Sequence, residues 1–187
     1  MAGAFLLLMH DEFSGRLRCS ADLLRGGLVG AELAELVIAG RLGVADGRVH
    51  ALDADAPDST RPAAEYVVEC VLGQPRRHTV RTWTDNLGEP LEEMVVAELV
   101  ENGVIRRETR GFGRLRTQRC PALDLLRAAA PRARIERMLT APHELDLAGA
   151  FTIAMIWALG IETVLDTRAE RSGVDRSSAA FSLTVRR

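Results

Sequence analysis

The chain has 187 residues, the size of one ordinary domain and long enough to bury a core without covalent staples. Apolar residues make up 47% and aromatics only 4%, which excludes global disorder and leaves a core of Leu, Val, Ile and Ala, a mixture that favours helix. The net charge of −2 excludes a general pull towards nucleic acid or anionic membrane, so any such binding needs a local cluster of the 24 basic residues, all of them Arg.

Cys19, Cys70 and Cys120 are odd in number, far apart and without a CxxC spacing, so neither a disulfide framework nor a zinc site is expected. Reduced thiols fit a cytoplasmic protein. The opening MAGAFLLLMHDE lacks a basic start and meets charge at once, so it does not read as a signal peptide.

In chain order, residues 5–9 read as a short apolar strand, 11–15 as a turn and 17–19 as a returning strand. Residues 28–39 form a helix, with Val29, Leu33, Leu36 and Val37 at helical spacing and Gly40 as its C-cap. Asp46-Gly47 between residues 42–44 and 49–52 predicts a tight hairpin. Residues 53–62, with three Asp and two Pro, read as an exposed loop. Helices follow over 63–72, 80–87 and 90–102, the last with Pro90 near its start. Residues 104–109 and 114–119 read as two strands around Arg110-Gly111-Phe112-Gly113, with Phe112 at the tip. Pro121 and Pro131 bracket a short helix, and 132–139 form another. Asp146 caps a final helix over 147–165, whose uncharged part falls short of the roughly 20 apolar residues of a membrane span and reads as a buried core helix. The expected fold is mainly α: a single helical globule over residues 1–166 with short N-terminal strands and a protruding β-hairpin, followed by a tail over 167–187.

No GxSxG elbow, HExxH or P-loop occurs, so no catalytic residue, cofactor or metal is assigned and the chain is not read as an enzyme. His10-Asp11-Glu12 and His143-Glu144 with Asp146 could in principle supply metal ligands, but a solvated turn and a helix start account for them. The glycines of Arg25-Gly26-Gly27-Leu28-Val29-Gly30 lack the GxGxxG spacing, and Gly30 reads as a site of close helix packing. The strongest local charge is the second hairpin, where Arg106, Arg107, Arg110, Arg114, Arg116 and Arg119 face Glu108 alone. Guanidinium groups at such a density suit phosphates, and an exposed Phe112 suits a membrane interface or a subunit contact.

Three segments carry a family resemblance: LLLMHDEFSGRL (6–17), GGLVGAELAELVIAGRL (26–42) and LVENGVIRRETRGFGRLRTQRCP (99–121), with AMIWALGIETVLDT (154–167) behind them. The chain resembles the Golgi phosphoprotein 3 family, including its bacterial members. The resemblance implies a mostly helical globule with a protruding hairpin that supports self-association. In eukaryotic members it implies peripheral binding to phosphatidylinositol 4-phosphate and an adaptor role towards glycosyltransferases. The headgroup pocket carries over poorly: its Trp falls near Ser20 and one of its Arg falls on Val29, while a further basic residue matches Arg127 and Arg25 lies one turn away.

The resulting expectation is a cytoplasmic, peripheral adaptor. Arg25 and Arg127 are its lipid-phosphate candidates, and Arg110, Phe112, Arg114 and Arg116 form a hairpin surface or oligomer contact. Its expected partners are an anionic phospholipid surface, a protein client and a second copy bound through the hairpin. Two alternatives stand beside it: a winged-helix-like nucleic-acid binder, which the net charge disfavours, and a structural oligomerisation module without ligand.

Overall fold

A computed structural model of the chain describes residues 1–52, 61–111 and 117–161. Its first element corrects the sequence reading: Ala2–Met9 is a helix, α1, where a strand was expected over 5–9, and residue 17 contributes only a single bridge to His10. Periodicity cannot separate a short strand from a helix that is apolar on every side. Ala2, Phe5, Leu6, Leu8 and Met9 are all buried, because α1 is wrapped by α2 (Ala21–Ile38), α4 (Val80–Glu101) and α5 (Leu125–Thr140).

α2 begins earlier than expected because Ser20 caps it, its Oγ accepting from the Leu23 amide at 3.3 Å. The glycine pair therefore lies inside the helix. A Cβ at Gly27 would stand 2.1 Å from the Phe5 ring, so the missing side chain is what lets α1 lie against α2. Gly30 plays a looser part, facing the Met155 sulfur of α6 (Leu147–Ala158).

The hairpin β1 (Leu42–Ala45) and β2 (Arg48–Ala51) forms as the Asp-Gly pair predicts. Asp46 and Gly47 both take positive φ, 52° and 68°, as a two-residue type I′ turn demands. A two-residue strand, β3 (His78–Thr79), adds to β2. α3 (Pro62–Leu72) buries Ala63, Ala64, Val67, Val68 and Val71.

Both helix breaks expected at proline are absent. Trp83, Leu87, Leu91 and Val95 keep one spacing of four through Pro90, so a continuous buried stripe holds α4 together across the lost hydrogen bond. Pro131 is likewise inside α5, where Ala128, Ile135 and Met138 face the core. α6 ends at Ala158, earlier than expected, with Gly160 at positive φ behind it. The second hairpin has short stems, β4 (Glu108–Arg110) and β5 (Thr117–Arg119). Its root is tied to the turn after α1: the Cys120 amide donates to the Gly15 carbonyl at 3.0 Å and Ala122 to Glu12 at 2.9 Å. Gly15 has φ 65°, and a Cβ there would meet the Pro121 backbone at 2.3 Å. The expected domain division at residue 166 and the tail beyond it lie outside the described residues.

One ion cluster joins three helices. Glu32 of α2 is fully buried, and Arg61, the residue before α3, donates to both its oxygens at 3.2 and 2.9 Å. The same guanidinium reaches Glu35 at 3.0 Å and Glu98 of α4 at 3.4 Å. Glu98 in turn accepts from the Ala63 amide in the first turn of α3. Burial pushes the Glu32 carboxyl up, and Arg61 opposes it.

Two outcomes are expected. Arg61→Ala leaves Glu32 buried without its main counter-charge and costs about 3–5 kcal/mol in urea unfolding. Because a raised folded pKa gives stability that is present at low pH and lost as pH rises, this variant recovers part of the loss on acidification towards the carboxylate range. Gly27→Ala drives a methyl into the Phe5 ring and costs about 1–3 kcal/mol by the same measurement.

Candidate functional site

The two lipid-phosphate candidates do not meet. Arg25 lies in the second turn of α2, where its Nε donates to Glu92 Oε2 at 2.9 Å, and its stem fills the space left by Gly88 of α4. The hydrogen bond to Glu92 is the chief cause that raises its pKa, with Glu92, Glu89 and Asp22 adding their charge. Three carboxylates around one guanidinium make that patch acidic, so Arg25 is a clamp between helices and a poor seat for phosphate. Arg127 lies on α5, where its Nη1 donates to the Asn102 carbonyl at 2.7 Å and so caps the end of α4. Residues 92 and 102 are about 15 Å apart along α4, which separates the two arginines by the same order.

Arg127 lies instead at the root of the second hairpin. From there Arg106 and Arg110 project with large exposed side chains, both paired to Glu108, at 2.7 and 3.3 Å. Arg107 pairs with Glu93 of α4 at 2.8 Å. Phe112, Arg114 and Arg116 lie outside the described residues. The segment that follows the hairpin adds what sequence reasoning missed: Leu123, Leu125 and Leu126 are exposed, Leu126 by 86%. Asp124 between them caps α5, accepting from the amides of Leu126 and Arg127 at 3.1 Å, and this turns the leucines outward. The available signal was a cap residue flanked by Leu on both sides, which reads as core unless the cap geometry is known.

The other sequence candidates have structural roles. His10 is half-buried at the end of α1, and its Nδ1–H donates to the Leu6 carbonyl at 2.9 Å. Burial lowers its pKa, against the Leu6 bond and the Glu92 charge. Asp11 accepts from the Ser14 amide and hydroxyl and, with Glu12, holds Arg18 at 3.1 and 3.0 Å. His78 stands edge-on to the Trp83 ring, centroids 5.7 Å apart. Asp146 caps α6 through the Gly149 amide at 2.7 Å and pairs with Arg134. Among the described residues no group of three or more His, Cys, Asp or Glu is placed to hold a metal, and no helix is long and apolar enough to cross a membrane.

The sequence profile of the family described as Golgi phosphoprotein 3 (GPP34) matches residues 1–184. The chain belongs to the Golgi phosphoprotein 3 family. No curated protein matches it. Two positions that the resemblance placed in the family's headgroup pocket do other work here. Ser20 is the N-cap of α2, and Val29 is fully buried. Neither offers a charged donor at the surface. In this member of the Golgi phosphoprotein 3 family, Arg127 directly follows the exposed Leu125 and Leu126 at the start of α5.

The His10 environment gives a pH prediction. A histidine pKa held below its ordinary value of about 6.5 contributes stability that is present above that value and lost as pH falls through the folded pKa. The unfolding midpoint therefore drops on acidification through about pH 6.5, and His10→Gln, which keeps a donor for Leu6, flattens that slope.

Proposed function

We propose that this chain is a non-catalytic, peripheral adaptor that meets an anionic phospholipid surface through the root of its second hairpin and presents a protein client there. One observation carries the reading: the hairpin stem exposes Arg106 and Arg110, and the segment that returns from it exposes Leu123, Leu125 and Leu126 with Arg127 next in the chain. Guanidinium groups bidentate to phosphate and leucines reaching the acyl boundary are the two ingredients of interfacial binding. Membership in the Golgi phosphoprotein 3 family supports binding in place of catalysis. The nucleic-acid alternative fits less well. α4, the helix before the hairpin, carries Asp85, Glu89, Glu92, Glu93, Glu98 and Glu101 against Arg81, and its apolar face is buried in the core. A helix of that charge repels a phosphate backbone.

Flotation with anionic and neutral vesicles tests the reading. The chain is expected to rise with anionic vesicles, less so at high salt, and to stay behind with neutral ones. At about 1 kcal/mol per arginine near the surface, the triple variant Arg106→Gln, Arg110→Gln, Arg127→Gln binds on the order of 100-fold more weakly with its helical signal intact. Equal recovery with both vesicle types would remove the lipid from this account.

A further inference from the structure

A second group of arginines lies at the other end of α4 from the hairpin root. Arg76 and Arg77 stand in the link between α3 and β3, Arg81 in the first turn of α4 and Arg48 at the start of β2, and all four are exposed. The sheet brings them together. Arg48 is paired across the ladder with Thr79, the N-cap of α4, and its Nη1 donates to the Arg77 carbonyl at 3.0 Å. Arg81 is two residues beyond Thr79. Among the described residues no carboxylate pairs with any of the four. At the hairpin root, by contrast, Arg106 and Arg110 share Glu108. Two exposed aliphatic side chains belong to the same stretch: Leu72, four residues before Arg76, is 64% exposed, and Val80, next to Arg81, is 40% exposed.

Acids mark the limits of this patch. Asp46 stands in the turn before Arg48, and Asp85 and Glu89 are exposed one and two turns beyond Arg81 on the same face of α4. A phosphate surface laid along α4 meets those carboxylates, so it is met favourably only at the end of the helix. Exposed guanidinium groups beside exposed aliphatic ones suit a lipid interface, where phosphates lie over acyl chains. A nucleic-acid backbone would use the arginines and gain nothing from Leu72 and Val80. α4 has 22 residues and is about 33 Å long, roughly four Debye lengths at physiological salt. The patch and the hairpin root therefore attract anionic surfaces independently.

We infer that this patch is a second seat for an anionic bilayer, and that one copy of the chain, held by a first membrane at the hairpin root, bridges to another through Arg48, Arg76, Arg77 and Arg81. The bridge rests on the hairpin-root reading for its first seat; the second seat does not.

Two populations of anionic vesicles, one carrying a donor dye and the other an acceptor, report bridging by energy transfer, and flotation reports each seat. The full chain is expected to cluster anionic vesicles and not neutral ones, with high salt reversing the clustering. The variant Arg76→Gln, Arg77→Gln, Arg81→Gln keeps its helical signal, weakens the second seat on the order of 100-fold, still floats by the hairpin root and no longer clusters vesicles. The variant Arg106→Gln, Arg110→Gln, Arg127→Gln keeps a residual flotation through the patch and also stops clustering. Flotation of the unaltered chain without clustering overturns the inference. So does clustering that survives either set of substitutions, which is the mark of copies joined to one another. Labelled duplex DNA that is released by the patch substitutions, while vesicle clustering is unchanged by them, assigns the patch to nucleic acid and has the same consequence. Failure of the hairpin-root reading is seen separately: its variant floats as well as the unaltered chain, and only the patch variant stays behind.

Discussion

The guanidinium of Arg61 is the tie on which the helical frame depends. Glu32 lies inside α2 with no access to water, a position that is tolerable for a carboxylate only with a counter-charge and satisfied oxygens. Arg61 supplies both and reaches Glu98 on α4 with the same group. The start of α3, the middle of α2 and the end of α4 are thereby fixed to one point. A second bridge, from Arg41 behind α2 to Glu65 in the first turn of α3, ties the same pair of helices. The ion cluster gives the packing one register.

With that frame fixed, charge is sorted by element. α4 gathers the acids, and two of them, Glu92 and Glu93, take up Arg25 and Arg107. The hairpin stem shows Arg106 and Arg110, and Arg127 follows the exposed Leu125 and Leu126. α6 carries no charge. A globule with net charge −2 thus holds an acidic helix, a basic corner and a neutral apolar face in separate places. Steering by charge acts over about one Debye length, roughly 8 Å at physiological salt, so local sorting decides which surface meets which partner more than the total does.

Much of the fold was legible in the sequence, and the failures have physical causes. The Asp46-Gly47 hairpin was legible because two adjacent residues at positive φ admit few side chains. Residues 5–9 were misread because an apolar run of five has no period to distinguish helix from strand once it is buried on all sides. Pro90 and Pro131 read as helix breaks because proline in a helix interior costs about 3 kcal/mol, and only the buried stripe that runs through each proline offsets that cost. The site was less legible. Composition showed the arginines, but not that Arg25 is enclosed by Glu92, Glu89 and Asp22, which come from residues far apart in the chain or one turn away. Nothing in the sequence around Glu32 separates it from an exposed helix acid; its burial and its pairing with Arg61, 29 residues on, mark it as internal.

The attachment of the second hairpin has a mechanical meaning. Its root is sewn to the turn after α1 by the amides of Cys120 and Ala122, and Gly15 allows the two backbones to touch. α1 is in turn encased by α2, α4 and α5. A pull on the hairpin is therefore transmitted into the most enclosed helix of the protein instead of being absorbed by a pliable connection. The described stem, residues 108–110 paired with 117–119, is thereby anchored in the hydrophobic interior at its root.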